Sequence, residues 1–182
     1  MGYQAEMSGP ERPALIGVRV DAAGLRAVEQ ALGVILPEPA GLASGNRWVT
    51  VFGLGPDEWL IRTRPDEEED WLAKLKAAAA GAFSAVVLVS DAYRVFTITG
   101  PEALDVLAQA TGVDIHPSTF PTGRAMRAGF ARISALIHRL DDRPSLDVYV
   151  DASLARYAGR WIDSAIGGGV RARGGIREKR VR

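Results

Sequence analysis

The chain contains no cysteine. Disulfides, thiolate zinc sites, iron–sulfur clusters and a cysteine nucleophile are thereby excluded. Histidine is almost as scarce: His116 and His138 are the whole supply, and a catalytic zinc ordinarily takes three protein ligands. No apolar run approaches the roughly 20 residues of a membrane helix and no secretory leader is evident, so a cytoplasmic protein is expected. Net charge is missing too. With 22 basic and 22 acidic residues, no overall field draws the chain to nucleic acid, anionic lipid or an acidic substrate. Phosphate cradles are also absent, because Gly53-Leu54-Gly55-Pro56 precedes a strand pattern and Gly167-Gly168-Gly169 follows a helical one. Neither has the strand, loop, helix order that nucleotide binding requires.

What is present is an apolar content of 47% over 182 residues, enough for one compact domain or two fused halves. Residues 1–13, with two prolines and no periodicity, are expected to be a flexible lead-in. A single domain is expected over 14–169, in halves 14–90 and 91–169. Leu15–Val20 reads as a strand, and Asp21 caps a helix carrying Leu25, Val28 and Leu32 on one face, stopped by Gly33. Trp48–Gly53 and Glu58–Thr63 form a hairpin around a proline turn. Pro65 opens a helix whose acidic first turn, Asp66 to Asp70, suits the positive end of the helix dipole. Val86–Val89 is a continuous apolar run, as in a strand covered on both faces. The first half therefore has the β-α-β-β-α-β order of a ferredoxin-like unit.

The second half opens with a strand around Val95–Ile98, and Gly100-Pro101-Glu102 then starts a short helix. Three strands are predicted at Arg127–Ala131, Ile133–Arg139 and Leu146–Val150, followed by a helix from about Ser153 with Leu154, Tyr157, Trp161 and Ala165 on its buried face. The fold class is thus α+β, two fused ferredoxin-like halves. The segment 170–182, with six arginines or lysines and one glutamate, reads as a basic flexible tail. RNA binding through it is an alternative.

The residues that could carry chemistry are few. Ser90, Asp91 and His116 invite a nucleophile–base reading, but no nucleophile-elbow spacing accompanies them. The simpler expectation is that Asp91 bonds backbone amides at a strand break and that Asp114–Thr122 is a surface docking arm carrying His116 and Phe120. Trp48 and Trp59 lie on the two arms of the predicted hairpin and could pair across it as a contact surface. Trp48, Trp59, Asp91, Arg94, His116 and Phe120 are the structural or interface candidates. No catalytic, cofactor-binding or metal-binding residue is expected.

Several motifs resemble a known family. Leu54-Gly55-Pro56-Asp57-Glu58-Trp59-Leu60, Val89-Ser90-Asp91, Ile98-Thr99-Gly100-Pro101-Glu102-Ala103, Asp114-Ile115-His116-Pro117 and Phe120-Pro121-Thr122-Gly123 resemble, in order and separation, the gamma subunit of heterotetrameric sarcosine oxidase. The resemblance runs from about Leu15 to Ile166. It implies a fold akin to the folate-binding domain of the glycine-cleavage T-protein. It also implies a non-catalytic subunit of a complex that demethylates sarcosine to glycine, giving 5,10-methylenetetrahydrofolate or formaldehyde together with hydrogen peroxide. FAD, FMN, NAD, zinc and tetrahydrofolate are then expected on the partner alpha, beta and delta subunits, with docking chiefly on the large folate-domain alpha subunit. A free-standing folate-binding aminomethyltransferase-like protein, or the gamma-type subunit of an N-methylglutamate dehydrogenase, are the alternatives.

Overall fold

The computed structural model describes residues 2–167, so the basic segment from 170 lies outside the described residues. Ten strands and four helices are formed among them: β1 Glu6–Glu11, β2 Ala14–Val20, α1 Ala22–Leu32, β3 Ser44–Gly45, β4 Thr50–Gly55, β5 Glu58–Thr63, α2 Glu68–Ala79, β6 Ser84–Leu88, β7 Tyr93–Thr99, α3 Ala103–Ala108, β8 Ala125–Phe130, β9 Ile133–Asp141, β10 Ser145–Asp151 and α4 Ala155–Ile166. They build two antiparallel five-stranded sheets, ordered β3-β4-β5-β2-β6 and β1-β7-β10-β9-β8.

Local chemistry sets the first half. The Asp21 carboxylate accepts from the backbone N–H groups of Ala23 and Gly24, and Gly33 ends α1 in the left-handed region at φ 70°. Strands β2, β4, β5 and β6 with helices α1 and α2 follow the ferredoxin-like order, as the chain pattern predicts. The second half departs from that pattern. No strand follows α4 among the described residues, and β1 takes that edge of the sheet by pairing antiparallel with β7 through Glu6 to Thr99 and Met7 to Ile98. Residues expected as a flexible lead-in are therefore structural. Their partner lies about ninety residues away, beyond the reach of any local pattern.

The two sheets pack face to face, and each carries its helices on its outer side. Ile16, Val18, Val51, Trp59 and Ile61 face α1 and α2 with Val28, Leu32 and Leu75. Phe96, Ile98, Ile137, Val148 and Val150 face α3 and α4 with Val106, Leu107, Ala158 and Ile162. Between the sheets lie Leu15, Phe52, Leu60, Val95, Ala125, Leu136 and Tyr149. A residue shift of one along β5 or β10 would exchange these faces, so register is fixed by the two-residue period.

Three further expectations change. Val87 is 54% exposed because β6 is the edge of its sheet, so the apolar run Val86–Val89 is not covered on both faces. On α4 the buried stripe is Ala155, Ala158, Ile162 and Ala165. The predicted stripe is rotated outward: Leu154, just before the helix, and Tyr157 are exposed, and Trp161 is half-buried against Phe130. Small side chains let α4 sit close to β1 and β10, which leaves the larger ones at the rim. Finally, Trp48 precedes β4 and lies under Arg47, whereas Trp59 stands opposite Gly53, so the two rings do not pair.

Gly53 illustrates the tightness of the first half. A Cβ there would lie 2.6 Å from the carbonyl oxygens of both Pro37 and Glu38, and Trp59 Nε1 donates to that same Pro37 oxygen at 3.0 Å. Gly53→Ala is expected to lower stability by about 1–3 kcal/mol, the usual cost of overpacking. Urea unfolding followed by tryptophan emission checks it, with a native-state red shift as the Trp59 hydrogen bond is displaced.

Candidate functional site

Two polar clusters hold the halves together. The first lies between the sheets, where strand alternation turns Arg62 of β5 and Thr97, His138 and Asp147 of β7, β9 and β10 inward. The Arg62 guanidinium donates to Asp147 Oδ2 at 2.6 Å and to the Tyr149 hydroxyl at 2.7 Å. Tyr149 donates to the same Oδ2 at 3.2 Å, and Thr97 to Oδ1 at 2.6 Å. Asp147 is 2% exposed, so its charge is held by these three donors rather than by water. Burial works against the Arg62 charge, yet Tyr149 and Asp147 hold its pKa above the ordinary value. Burial pushes the Tyr149 hydroxyl far up, and the Asp147 charge adds to this.

His138 is cross-strand partner to Asp147 and stands edge-on to Phe52, with ring centroids 5.1 Å apart. Its Nδ1 is buried without a partner among the described residues. Burial lowers its pKa to about 4, so the ring is neutral. Apart from that nitrogen the cluster is internally bonded: both Asp147 oxygens accept hydrogen bonds and Tyr149 stays protonated near neutral pH. Its chemistry is that of a lock between sheets, not of proton transfer.

The second cluster clamps the junction between the halves. Arg12 Nε donates to Asp91 Oδ1 at 2.7 Å, and its two terminal nitrogens donate to Glu68 at 3.2 and 3.0 Å. Ser90 Oγ donates to Glu68 Oε2 at 2.8 Å and accepts from the Leu15 N–H at 2.8 Å. The Arg12 bonds hold the Glu68 and Asp91 carboxyls below their usual range. Asp91, expected to bond backbone amides, instead pairs with Arg12. Glu68, read as one of a dipole-matched acidic run, closes the clamp.

The remaining sequence candidates are not brought together. Arg94 donates to the Tyr93 carbonyl at 2.7 Å. His116 shares a 2.7 Å hydrogen bond with the Ser118 hydroxyl, and its N–H donates to Asp114 at 3.0 Å; that N–H holds the Asp114 carboxyl low. Phe120 is fully buried, and Arg139 donates to its carbonyl at 2.7 Å. The segment 114–122 is thus pinned by Ile115 and Phe120, with Asp114, His116–Thr119 and Pro121–Thr122 exposed around those anchors. Asp91 and His116 face different partners and form no dyad. Sequence reasoning missed Arg62, Thr97, Asp147 and Tyr149. The available signal was a charged residue inside the apolar strands Trp59–Thr63 and Leu146–Val150.

The comparisons with known proteins converge. A profile of the sarcosine oxidase, gamma subunit family matches residues 16–167. A sarcosine oxidase subunit gamma from Corynebacterium sp. (strain P-1) is 29% identical over 154 residues, covering 83% of this chain and 74% of that protein. One from Corynebacterium sp. (strain U-96) is 32% identical over 145 residues, covering 79% and 69%. Among solved structures, a chain of the heterotetrameric sarcosine oxidase from Corynebacterium sp. U-96, in complex with pyrrole 2-carboxylate, superposes with a TM-score of 0.82 at 27% identity. It covers 89% of this chain and 83% of that one. Glycine cleavage system aminomethyltransferase T from Bartonella henselae gives a TM-score of 0.65 at 18% identity, covering 87% of this chain and 45% of that one. That second likeness is one of fold.

Two outcomes follow from the inter-sheet cluster. Asp147→Ala removes the buried acceptor of Thr97, Tyr149 and half-exposed Arg62 and is expected to cost about 1–3 kcal/mol in denaturant unfolding, whereas a conservative change at exposed Arg26 costs almost nothing. His138 is neutral when folded but takes up a proton below its ordinary pKa of 6.5 once unfolded. Stability is therefore full above that value and falls as pH drops towards 4, by up to about 1.4 kcal/mol per pH unit from this group. Melting temperatures across pH 4–7 check this, and His138→Leu is expected to flatten the slope.

Proposed function

The chain belongs to the sarcosine oxidase gamma subunit family, and from that premise we propose that it is the non-catalytic gamma subunit of a heterotetrameric sarcosine oxidase. The observation that carries the reading is the agreement in both fold and sequence with a chain of such a heterotetramer across 83% of its length. The oxidase demethylates sarcosine to glycine, delivering the one-carbon unit to tetrahydrofolate or as formaldehyde and forming hydrogen peroxide. The partners are alpha, beta and delta subunits, and the large folate-domain alpha subunit is the chief neighbour.

The residues of this chain do not fit the cofactors of that reaction. Among the described residues no three His, Asp or Glu side chains group together as metal ligands. A pterin presents a donor edge that a free buried carboxylate would accept, and the acceptors of Asp147 are already taken. We infer that FAD, FMN, NAD, zinc and tetrahydrofolate are held by the partner subunits. No helix among the described residues is long and apolar enough to cross a membrane, and the cytoplasm is the proposed compartment. A free-standing aminomethyltransferase fits less well, since the superposition spans only 45% of the Bartonella henselae chain.

Co-expression with the three partner chains, followed by size exclusion and a peroxide assay, tests the proposal. All four chains are expected to co-elute, and omission of this one should abolish or destabilise the complex. A complete, sarcosine-oxidising complex that forms without it, while this chain stays monomeric, overturns the reading.

A further inference from the structure

Charge is unevenly spread along a chain whose total is zero. From Arg156 to Arg182 there are eight arginines or lysines and two acidic residues, which leaves 14 basic and 20 acidic residues before them. Helix α4 opens this basic stretch. Arg156 and Arg160 lie one turn apart on it, are both exposed, and form no ion pair with another described residue. Arg12, Arg19, Arg62 and Arg64 are paired, whereas Arg156 and Arg160, like Arg26, Arg127 and Arg132, form no ion pair with a described residue; what sets them apart is their place together beside exposed apolar groups.

Apolar groups stand beside these arginines. Leu154 is 38% and Tyr157 44% exposed, although both fall on the stripe that the sequence pattern predicts to be buried. Ser153, Arg156, Tyr157, Arg160, Trp161 and Ser164 line an open cleft of about 480 Å³ there. Tyr157 is held in place by its hydroxyl, which donates to the Ala131 carbonyl at 2.7 Å. A fixed tyrosine beside unpaired arginines is the composition of a binding surface centre rather than of a solvated face.

We propose that this face of α4 docks an acidic surface segment of a partner subunit in the assembled oxidase. The inference rests on the gamma-subunit reading and deepens it by naming the face and the chemistry of its occupant. Carboxylates of the partner pair with Arg156 and Arg160, while an apolar side chain of the partner covers Leu154 and Tyr157. Charge complementarity selects the occupant: a segment rich in Asp and Glu matches the two guanidiniums directly, whereas a symmetric pairing of this face with a second copy would set the same arginines against each other. The apolar groups between the arginines favour protein over nucleic acid, whose phosphates need only the charges.

The test is co-expression of the four chains with this subunit as wild type, R156E/R160E, R156Q/R160Q or the control R26E, read by co-elution over a salt series. Both arginines are exposed, so unchanged melting temperatures are expected. Wild type and R26E should assemble. R156E/R160E should bind about tenfold more weakly or worse, with R156Q/R160Q between them, and raised salt should narrow the difference. Assembly of R156E/R160E as tight as wild type overturns this inference and leaves the gamma-subunit reading standing; failure of the wild type to assemble overturns both. Binding of a single-stranded RNA that R156E/R160E loses, with assembly unchanged, overturns it in favour of a nucleic-acid face.

Discussion

Everything in this protein depends on two sheets sharing one buried face. A sheet with helices on its outer side and another sheet on its inner side has no solvent face along its central strands, so residues of both parities must be buried. Trp59 and Ile61 serve the helices while Leu60 serves the neighbouring sheet, and Val148 and Tyr149 divide in the same way. Apolar groups alone would let the faces slide, because dispersion contacts are non-directional. The bond from Arg62 to Asp147 is directional, and it is a polar contact that fixes one sheet against the other, its carboxylate end buried. A pair of this kind adds little net stability compared with an apolar replacement, but it leaves few alternative alignments of the sheets.

Local order was legible wherever the determining residues are neighbours. The capping of α1 by Asp21, its stop at Gly33, the proline hairpin and the β-α-β-β-α-β order of the first half all follow from short-range rules. Determinants that act across the fold were not legible. Strand β1 has no local signature because its pairing partner is β7. Arg62 and Asp147 are 85 residues apart, and each alone looks like an exposed charge in a half-buried strand. The outward rotation of α4 comes from the preference of close helix packing for alanine over the larger residues next to it, a competition between two apolar stripes that periodicity cannot decide. Among the site candidates, the residues were visible but their partners were not: Asp91 meets Arg12, and Phe120 is core rather than surface.

The distribution of polar groups bears on what the chain can do. Its buried carboxylate, its buried phenol and the serine at the junction are each committed to holding the halves together. Groups left without such commitments lie outside, on α4 and around Trp48. A protein that spends its interior polarity on rigidity and keeps its unpaired charge and aromatic area at the surface is suited to present a fixed shape to other chains.

The insertion of β1 beside β7 also makes the described chain nearly a closed loop. The Tyr3 N–H donates to the Ile166 carbonyl at 2.8 Å, and a Cβ on Gly2 would stand 3.6 Å from Gly167. Where the polypeptide starts is then an accident of connectivity rather than a property of the fold. The same neighbours would be kept by a chain joined there and opened at the Pro56-Asp57 turn. By the same token the halves are not separable modules: a cut between them strands the edge strand of the second sheet on the end of the first half, so a gene divided at that boundary would encode one whole sheet and one that is a strand short.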